Sequence, residues 1–285
     1  MIRLTNLILL LSLLVLSAVS AQAEPQRFAE VTLPAPIFST PLAASTKPKP
    51  DRCGQIRSLE FIAFPGTLLT LAGTVPGFPD IIQVTAADYP TAPGTTLYLH
   101  RSRVKFHTLQ PEQQSHPMPG LNQIRASLLA AVGLPYVWGG NLRTGLVLHG
   151  ATYFKGVDCS GLLYEATHGA TPRNTRQLVH FGEAVPVAGL TQEQIISRLQ
   201  PLDLLVWDGH VVIVLDRSTA IESILNCTGG KSGVITTPLS ARLRQILSSR
   251  TVINQWPEGS TTTKKSYVTI RRWFVPTDNQ AKTSD

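Results

Sequence analysis

The sequence predicts an α+β protein built from two unlike parts. Residues 28–106 read as short β-rich runs separated by turn residues, with no long helical period. From residue 120 onward, apolar residues recur at helical spacing. The β-branched runs then follow those helices instead of alternating with them, which separates α+β from a doubly wound α/β arrangement. The 285 residues allow one large domain or two modest ones. With 43 % hydrophobic and 15 % charged residues the chain is not a disordered one. Its 21 glycines and 21 prolines follow no G-X-Y period, which excludes a collagen-like chain.

The elements follow in order. Met1 to Arg3 is a short basic start, Leu7 to Val19 is apolar, and Ala21-Gln22-Ala23 is a small-residue cleavage site. Residues 1–23 therefore read as an export signal, removed before Glu24. The apolar run is short against the ~20 residues a membrane-spanning helix needs. An uncleaved anchor is the alternative. Export to the periplasm or beyond, with no stable membrane insertion after cleavage, is the expectation. Phe28 to Phe38 alternates well enough for an edge strand, and Pro41 to Asp51 reads as a loop. Ser58–Phe64, Leu68–Ala72, Ile81–Thr85 and Thr96–His100 are strands bounded by Pro65-Gly66, Gly73, Pro79-Asp80 and Pro93-Gly94. Their spacing predicts a small β-barrel domain over residues 28–108. Residues 109–119, polar and proline-containing, form the expected linker.

A second domain is expected over 120–276, followed by a polar tail at 277–285. Leu121, Ile124, Leu128, Leu129 and Val132 predict a helix ending at Gly133-Leu134-Pro135. Leu162, Leu163 and Ala166 place a helix on Cys159–Thr167, and Ile195, Ile196 and Leu199 place another on Thr191–Leu199. Strands are predicted at Leu204–Val206, Val211–Leu215, Ile221–Ile224 and Tyr267–Phe274.

Three residues stand out chemically. The chain has three cysteines, Cys53, Cys159 and Cys227, so a monomer keeps at least one free thiol even in an oxidising compartment. Cys159 opens a predicted helix, where the dipole and free N–H groups would lower its pKa and favour the thiolate. A nucleophilic cysteine needs a base, and His210, at the head of a strongly predicted strand, is well placed to be one. The imidazole in turn needs a third polar group. If Asp216–Ser218 form a three-residue hairpin loop, strand parity sets Glu222 on the same face as His210. The bland alternatives are a buried reduced cysteine, a surface histidine and a solvent-facing glutamate. A formal charge of +7, spread along the chain, would attract any anionic polymer or lipid without choosing among them. Basic clusters are confined to Lys264-Lys265 and Arg271-Arg272, so no nucleic-acid partner is expected. No C-x-x-C spacing calls for zinc, and neither metal nor cofactor is expected.

Four ordered blocks carry a resemblance. They are Gly133-Leu-Pro-Tyr-Val-Trp-Gly-Gly140, Asp158-Cys-Ser-Gly-Leu162, Thr171-Pro-Arg-Asn-Thr-Arg-Gln177, and Leu202-Asp-Leu204 with His210-Val-Val-Ile-Val214. Together they resemble the NlpC/P60 family of papain-like cysteine peptidases. The resemblance implies a papain-like catalytic domain preceded by an SH3-like β-barrel. It implies Cys159 as nucleophile, His210 as base, and Glu222 at the third catalytic position, where the family commonly has His. It implies an oxyanion role for Tyr136 and substrate contacts for Asp158, Ser160, Arg173 and Thr175. Asp158 would meet a free stem amine, and Arg173 and Thr175 a substrate carboxylate. The implied reaction is hydrolysis of the γ-D-glutamyl–diamino acid bond in peptidoglycan stem peptides or muropeptides. Two alternatives are an inactive wall-binding protein and an amidase or acyltransferase using the same Cys–His pair. The chain departs from the family at Glu222, at Leu202 where Gly is preferred, and in a longer stretch at 141–155 that includes His149 and Tyr153. That stretch reads as a loop beside the cleft or an idle surface insertion. A bridge between Cys53 and Cys227, joining barrel to catalytic domain, is one pairing the cysteine count allows. The oligomeric state is not legible.

Overall fold

Seven short strands make up the N-terminal part of the computed structural model, which describes residues 28–112, 117–148, 150–259 and 266–274. They are β1 (Phe28–Val31), β2 (Ala35–Phe38), β3 (Leu59–Ala63), β4 (Leu68–Thr74), β5 (Ile81–Ala86), β6 (Leu97–His100) and β7 (Val104–His107). They pair in the order β3-β2-β6-β5-β4-β1-β7, antiparallel throughout. Side chains such as Ile37, Phe61, Leu69, Val84 and Leu99 make its core. Among the described residues no pairing joins β7 back to β3, so the expected barrel is an open sheet. The expected edge strand Phe28–Phe38 is two strands interrupted at Thr32-Leu33-Pro34. Nor does β1 lie at the edge, because β7 pairs with it from Phe28↔His107 to Val31↔Val104. The expected loop after Phe38 begins with a short helix, α1 (Pro41–Ser45). Pro41 occupies its first turn, where the missing N–H costs nothing, and the Thr40 hydroxyl accepts from Ala43 N at 3.3 Å.

The C-terminal part opens with α2 (Leu121–Ala130), ended where Gly133 takes a φ of +87°. The longer stretch at 141–155 is not an irregular loop but two ribbons. β8 (Asn141–Leu142) pairs with β11 (Gly156–Val157), and β9 (Leu146–Leu148) with β10 (Ala151–Tyr153). Its base packs on the N-terminal part, where the Phe154 and Phe38 rings lie 6.1 Å apart. Then come α3 (Cys159–Ala166), α4 (Thr175–Leu178), β12 (Glu183–Ala184) and α5 (Gln192–Arg198). The remaining elements are β13 (Leu204–Trp207), β14 (His210–Val214), β15 (Thr219–Ile224), β16 (Gly233–Pro238), α6 (Leu239–Leu247), β17 (Thr251–Val252) and β18 (Tyr267–Arg272).

The second sheet runs β12-β18-β13-β14-β15-β16, antiparallel, with β17 joining β18 in parallel. α2 to α5 precede the strands β13 to β16, whereas β8 to β12 lie among those helices and α6 follows β16. Leu204–Trp207 and Val211–Val214 are buried residue after residue, so they read as unbroken apolar runs instead of alternating ones. α3 packs across β14 and β15 and meets α2 on its other side. Leu162 and Leu163 supply its inward face. Gly161 is required there: a Cβ would run into the Gly140 carbonyl.

A side-chain stitch and a disulfide are among the ties between the parts. Buried Asn141 pairs with Ile62 of β3 like a strand residue, accepting from Ile62 N and donating to Ile62 O, both at 2.8 Å. Cys53 is disulfide-bonded to Cys227, 174 residues away. That leaves Cys159 as the free cysteine. Among the described residues no helix is long and apolar enough to cross a membrane. The export signal at 1–23, Lys264-Lys265 and the tail at 277–285 lie outside the described residues, as does His149.

Candidate active site

Cys159 is the first residue of α3, and Asp158 caps the helix, accepting from Gly161 N at 2.6 Å. Helix packing on β14 sets the thiol against the turn before that strand, where Sγ lies 3.9 Å from Gly209 O. The Val211 N–H also faces the sulfur. The backbone on either side of His210 therefore touches Cys159. The turn itself is held from α4, because Thr175 Oγ1 accepts from Gly209 N at 3.0 Å.

His210 and Glu222 meet through strand register. Val214 pairs with Ala220 and Ile213 with Ile221, leaving Asp216–Ser218 as the loop. The two residues fall on one face as diagonal neighbours, and Nε2 lies 2.7 Å from Glu222 Oε2. Glu222 is 1 % exposed. Burial pushes its carboxyl up, but hydrogen bonds from His210 and Arg242 outweigh it and hold the group below the ordinary carboxylate range. An ionised carboxylate only accepts, so Nε2 carries a proton and Nδ1 is left as the basic nitrogen of a neutral ring. Trp207 packs on the imidazole with ring centroids 5.1 Å apart.

The thiol does not follow the expectation of a lowered pKa. Burial, and then the Asp158 charge, push Cys159 up to about 12. Arg173 and the Ser160 and Val211 N–H groups pull the other way and lose. The helix terminus contributes as the sequence suggested, but desolvation of a sulfur inside the core is larger. Cys159 at rest is a thiol, and its proton must leave with the help of a base.

The other expected site residues divide into two sets. Tyr136 lies beside the thiol, half-buried, and burial, then the neighbouring Asp158 charge, pushes its phenol up. It stays protonated and able to donate. Asp158, Ser160 and Arg173 are locked together. Arg173 donates from Nη1 to Asp158 Oδ1 at 3.0 Å and from Nη2 to Oδ2 at 2.8 Å. It also bonds Ser160 Oγ, Gly140 O and Asn141 Oδ1. At 2 % exposure, with its donors engaged, Arg173 is a buried strut beneath the cap of α3 and not a group turned toward solvent. Thr175 is likewise spent on the Gly209 turn.

Several residues at the site carried no local signal. Arg242 of α6 reaches Glu222 from behind. From the N-terminal part, Gln55 donates to Tyr136 O at 3.4 Å and accepts from Trp138 N at 2.8 Å. Arg57 stacks over the Trp138 ring at 4.4 Å. The Tyr89 hydroxyl donates to Glu60 at 2.9 Å, and its phenol feels the Arg173 and Asp158 charges. Only tertiary structure brings these to residues 136–160. A cavity of about 390 Å³ lined by Phe38, Ile56, Phe154 and neighbours includes none of the expected site residues. Among the described residues no group of three or more His, Cys, Asp or Glu side chains could hold a metal ion.

No family model matches this chain, and neither does any curated protein. Among solved structures it is similar to an NlpC/P60 family protein from Bacillus cereus, at 19 % identity and TM-score 0.35, covering 87 % of this chain and 64 % of that one. It is similar to NlpC2 from Trichomonas vaginalis, at 14 % identity and TM-score 0.34, covering 87 % of this chain and 98 % of that one. A third is RipD from Mycobacterium tuberculosis, a non-catalytic NlpC/p60 domain protein described as adapted to peptidoglycan binding. It is 22 % identical with TM-score 0.30, over 41 % of this chain and 86 % of that one. The chain thus has a mixed α and β structure whose neighbours are NlpC/P60 proteins. At these identities and TM-scores the likeness carries no functional weight.

Proposed function

We propose that this chain is an exported cysteine peptidase of the NlpC/P60 type that hydrolyses the γ-D-glutamyl–diamino acid bond of peptidoglycan stem peptides. One observation carries the reading: a free cysteine at a helix N-terminus abuts the backbone on either side of a histidine whose Nε2 is bonded to a buried carboxylate. The sequence blocks around Tyr136, Cys159, Arg173 and His210 supply the substrate class.

The chemistry follows from the groups in place. Nδ1 of His210 takes the Cys159 proton as Sγ bonds to the γ-glutamyl carbonyl carbon. The oxyanion is met by the Tyr136 hydroxyl and by N–H at the start of α3; one such donor is typically worth about 3 kcal/mol. The imidazolium, held by Glu222, returns its proton to the leaving amine as the C–N bond breaks. Water, deprotonated by the same nitrogen, then attacks the thioester carbonyl; the C–S bond breaks, the acid leaves, and the imidazolium proton returns to Sγ. The Gln55–Arg57 loop beside Tyr136 and Trp138 makes the N-terminal part, read as SH3-like, one wall of the cleft.

Mass spectrometry of free stem peptides and of disaccharide-linked ones, incubated with the mature protein, tests this reading. A product ending at D-glutamate, absent with Cys159→Ala, is expected. Turnover that survives Cys159→Ala would overturn it.

A second reading, a wall-binding protein without turnover, is favoured by the burial of Cys159 and its raised pKa. Iodoacetamide reactivity separates the two. A working dyad alkylates faster in the native protein than in His210→Ala, whereas an idle thiol reacts equally slowly in both.

A further inference from the structure

Arg242 lies in none of the four sequence blocks, yet it touches the site from behind. It projects from α6, where Leu239, Leu243 and Ile246 form the buried stripe and Arg242 borders it. Nη2 donates to Glu222 Oε2 at 2.7 Å, and Nε lies 2.6 Å from Oε1. Nη1 donates to Gln245 Oε1 at 2.7 Å, which fixes the guanidinium from the solvent side. Three elements thus contribute one row: imidazole from β14, carboxylate from β15, guanidinium from α6.

We propose that Arg242 is a positioning residue that neutralises Glu222 and thereby sets the basicity of His210; this rests on the peptidase reading above. A carboxylate held 2.7 Å from an imidazole, with 1 % of the residue exposed, would by itself favour the imidazolium strongly. A ring already protonated cannot take a proton from Cys159. Arg242 places a compensating charge on the far side of the same carboxylate. Glu222 still accepts from Nε2 and fixes the tautomer, but the pair presents little net charge to the ring. In this way a carboxylate can stand where the resemblance expects a neutral partner. Arg242 also accounts for a charged Glu222 in the core, since buried charges require partners.

The other charged and titratable groups around His210 do not duplicate this role. Cys159 of α3, a thiol at rest, touches the backbone on either side of it, at Gly209 O and Val211 N–H. Asp208, in the preceding turn, lies 3.9 Å from Arg176 of α4, and both are largely solvated. Arg250 stacks over Trp207 at 4.5 Å from the ring centre, and burial, then the Arg242 charge, hold its pKa below the usual guanidinium value. Glu222 carries the charge that directly contacts the ring, and Arg242 pairs with that carboxylate from its other side.

The test is a titration of His210 by NMR in histidine-labelled protein, assigned with His210→Gln, in wild type, Arg242→Lys and Arg242→Met. Arg242→Met should raise the His210 midpoint by about one unit or more. Arg242→Lys, which keeps the charge and loses the fork, should fall between the two. The acid limb of kcat/KM should move upward with the titration. In a Glu222→Gln background, where no carboxylate holds the guanidinium in place, Arg242→Met should shift the midpoint less. An unchanged midpoint in folded Arg242→Met overturns the proposal, as does an equal shift in the Glu222→Gln background. If Arg242→Met does not fold, Arg242→Lys and the Glu222→Gln pair decide. The NMR readout needs no turnover, so an inactive wild type would refute the peptidase reading while the role of Arg242 is still measured.

Discussion

At the residue scale the chemistry depends on which of two opposed effects wins around each ionisable group. For Cys159, burial overcomes the helix terminus, and the thiol is expected to titrate near 12. In His210→Ala, where no base assists, alkylation by iodoacetamide should therefore keep accelerating with pH to about 11, well past the ~8.5 at which an ordinary cysteine ionises. A plateau near pH 9 would contradict that. For Glu222 the hydrogen bonds win. Its folded pKa lies below the unfolded one, so its contribution to stability is present above the ordinary carboxylate range and is lost as pH falls through the folded value. Glu222→Gln should lower Tm at pH 7, and the gap should narrow below about pH 4. Tyr136→Phe removes one oxyanion donor and should cost roughly a hundredfold in kcat with KM little changed. A change confined to KM would move Tyr136 from the oxyanion to ground-state binding. Leu202 shows a residue-scale cost of another kind. It takes a φ of +69° where the sequence resemblance expects glycine, and it is fully buried. Glycine there would relax the backbone and leave a cavity, two effects of opposite sign.

At the element scale, helices and strands were legible where one periodicity governs them, and opaque where long-range contacts do. Asn174 and Thr191 cap α4 and α5 just ahead of their first helical residues, and α2, α3 and α5 lie where their apolar spacing put them. The β14–β15 hairpin was legible because its loop length fixes parity, and parity alone puts His210 and Glu222 on one face. α6 and β16 were not anticipated, and with them went Arg242, whose significance depends on which strand its helix covers. The placement of Arg173 was opaque for a similar reason. Sequence blocks show that an arginine recurs beside the nucleophile but not whether it points at solvent or into the core. Its bidentate pair with Asp158 predicts a structural effect. Asp158→Ala removes the cap of α3 and leaves a buried guanidinium without its counter-charge. It should destabilise the protein by about 3–5 kcal/mol in urea unfolding. A loss below about 1 kcal/mol would show that Arg173 is satisfied without Asp158.

At the scale of the whole molecule, the two parts are tied at the edge of the site. Asn141 stitches β3 to the segment leading to Cys159, and Gly139 lets that segment approach, since a Cβ there would strike the Leu59 carbonyl. The Cys53–Cys227 bridge anchors the loop that carries Gln55 and Arg57 to the segment following β15. A bridge spanning 174 residues restricts the unfolded chain by about 5 kcal/mol in the chain-entropy account. Cys53→Ser with Cys227→Ser should therefore lower stability markedly. If the 51–57 loop forms a cleft wall, KM for stem peptides should rise more than kcat falls. Unchanged KM in a folded double variant would remove that loop from the substrate site.

The central claim is that Cys159 and His210 act together on a γ-glutamyl acyl donor. The most direct measurement uses L-alanyl-γ-D-glutamyl chloromethyl ketone, in which the electrophilic carbon stands near the scissile carbonyl. Sulfur displaces chloride and leaves a stable thioether. Intact mass and peptide mapping should find one label per chain, on Cys159, slowed by stem peptide and nearly lost in His210→Ala. Labelling of Cys159 that is indifferent to both stem peptide and His210, or no labelling of a folded protein, would contradict the account.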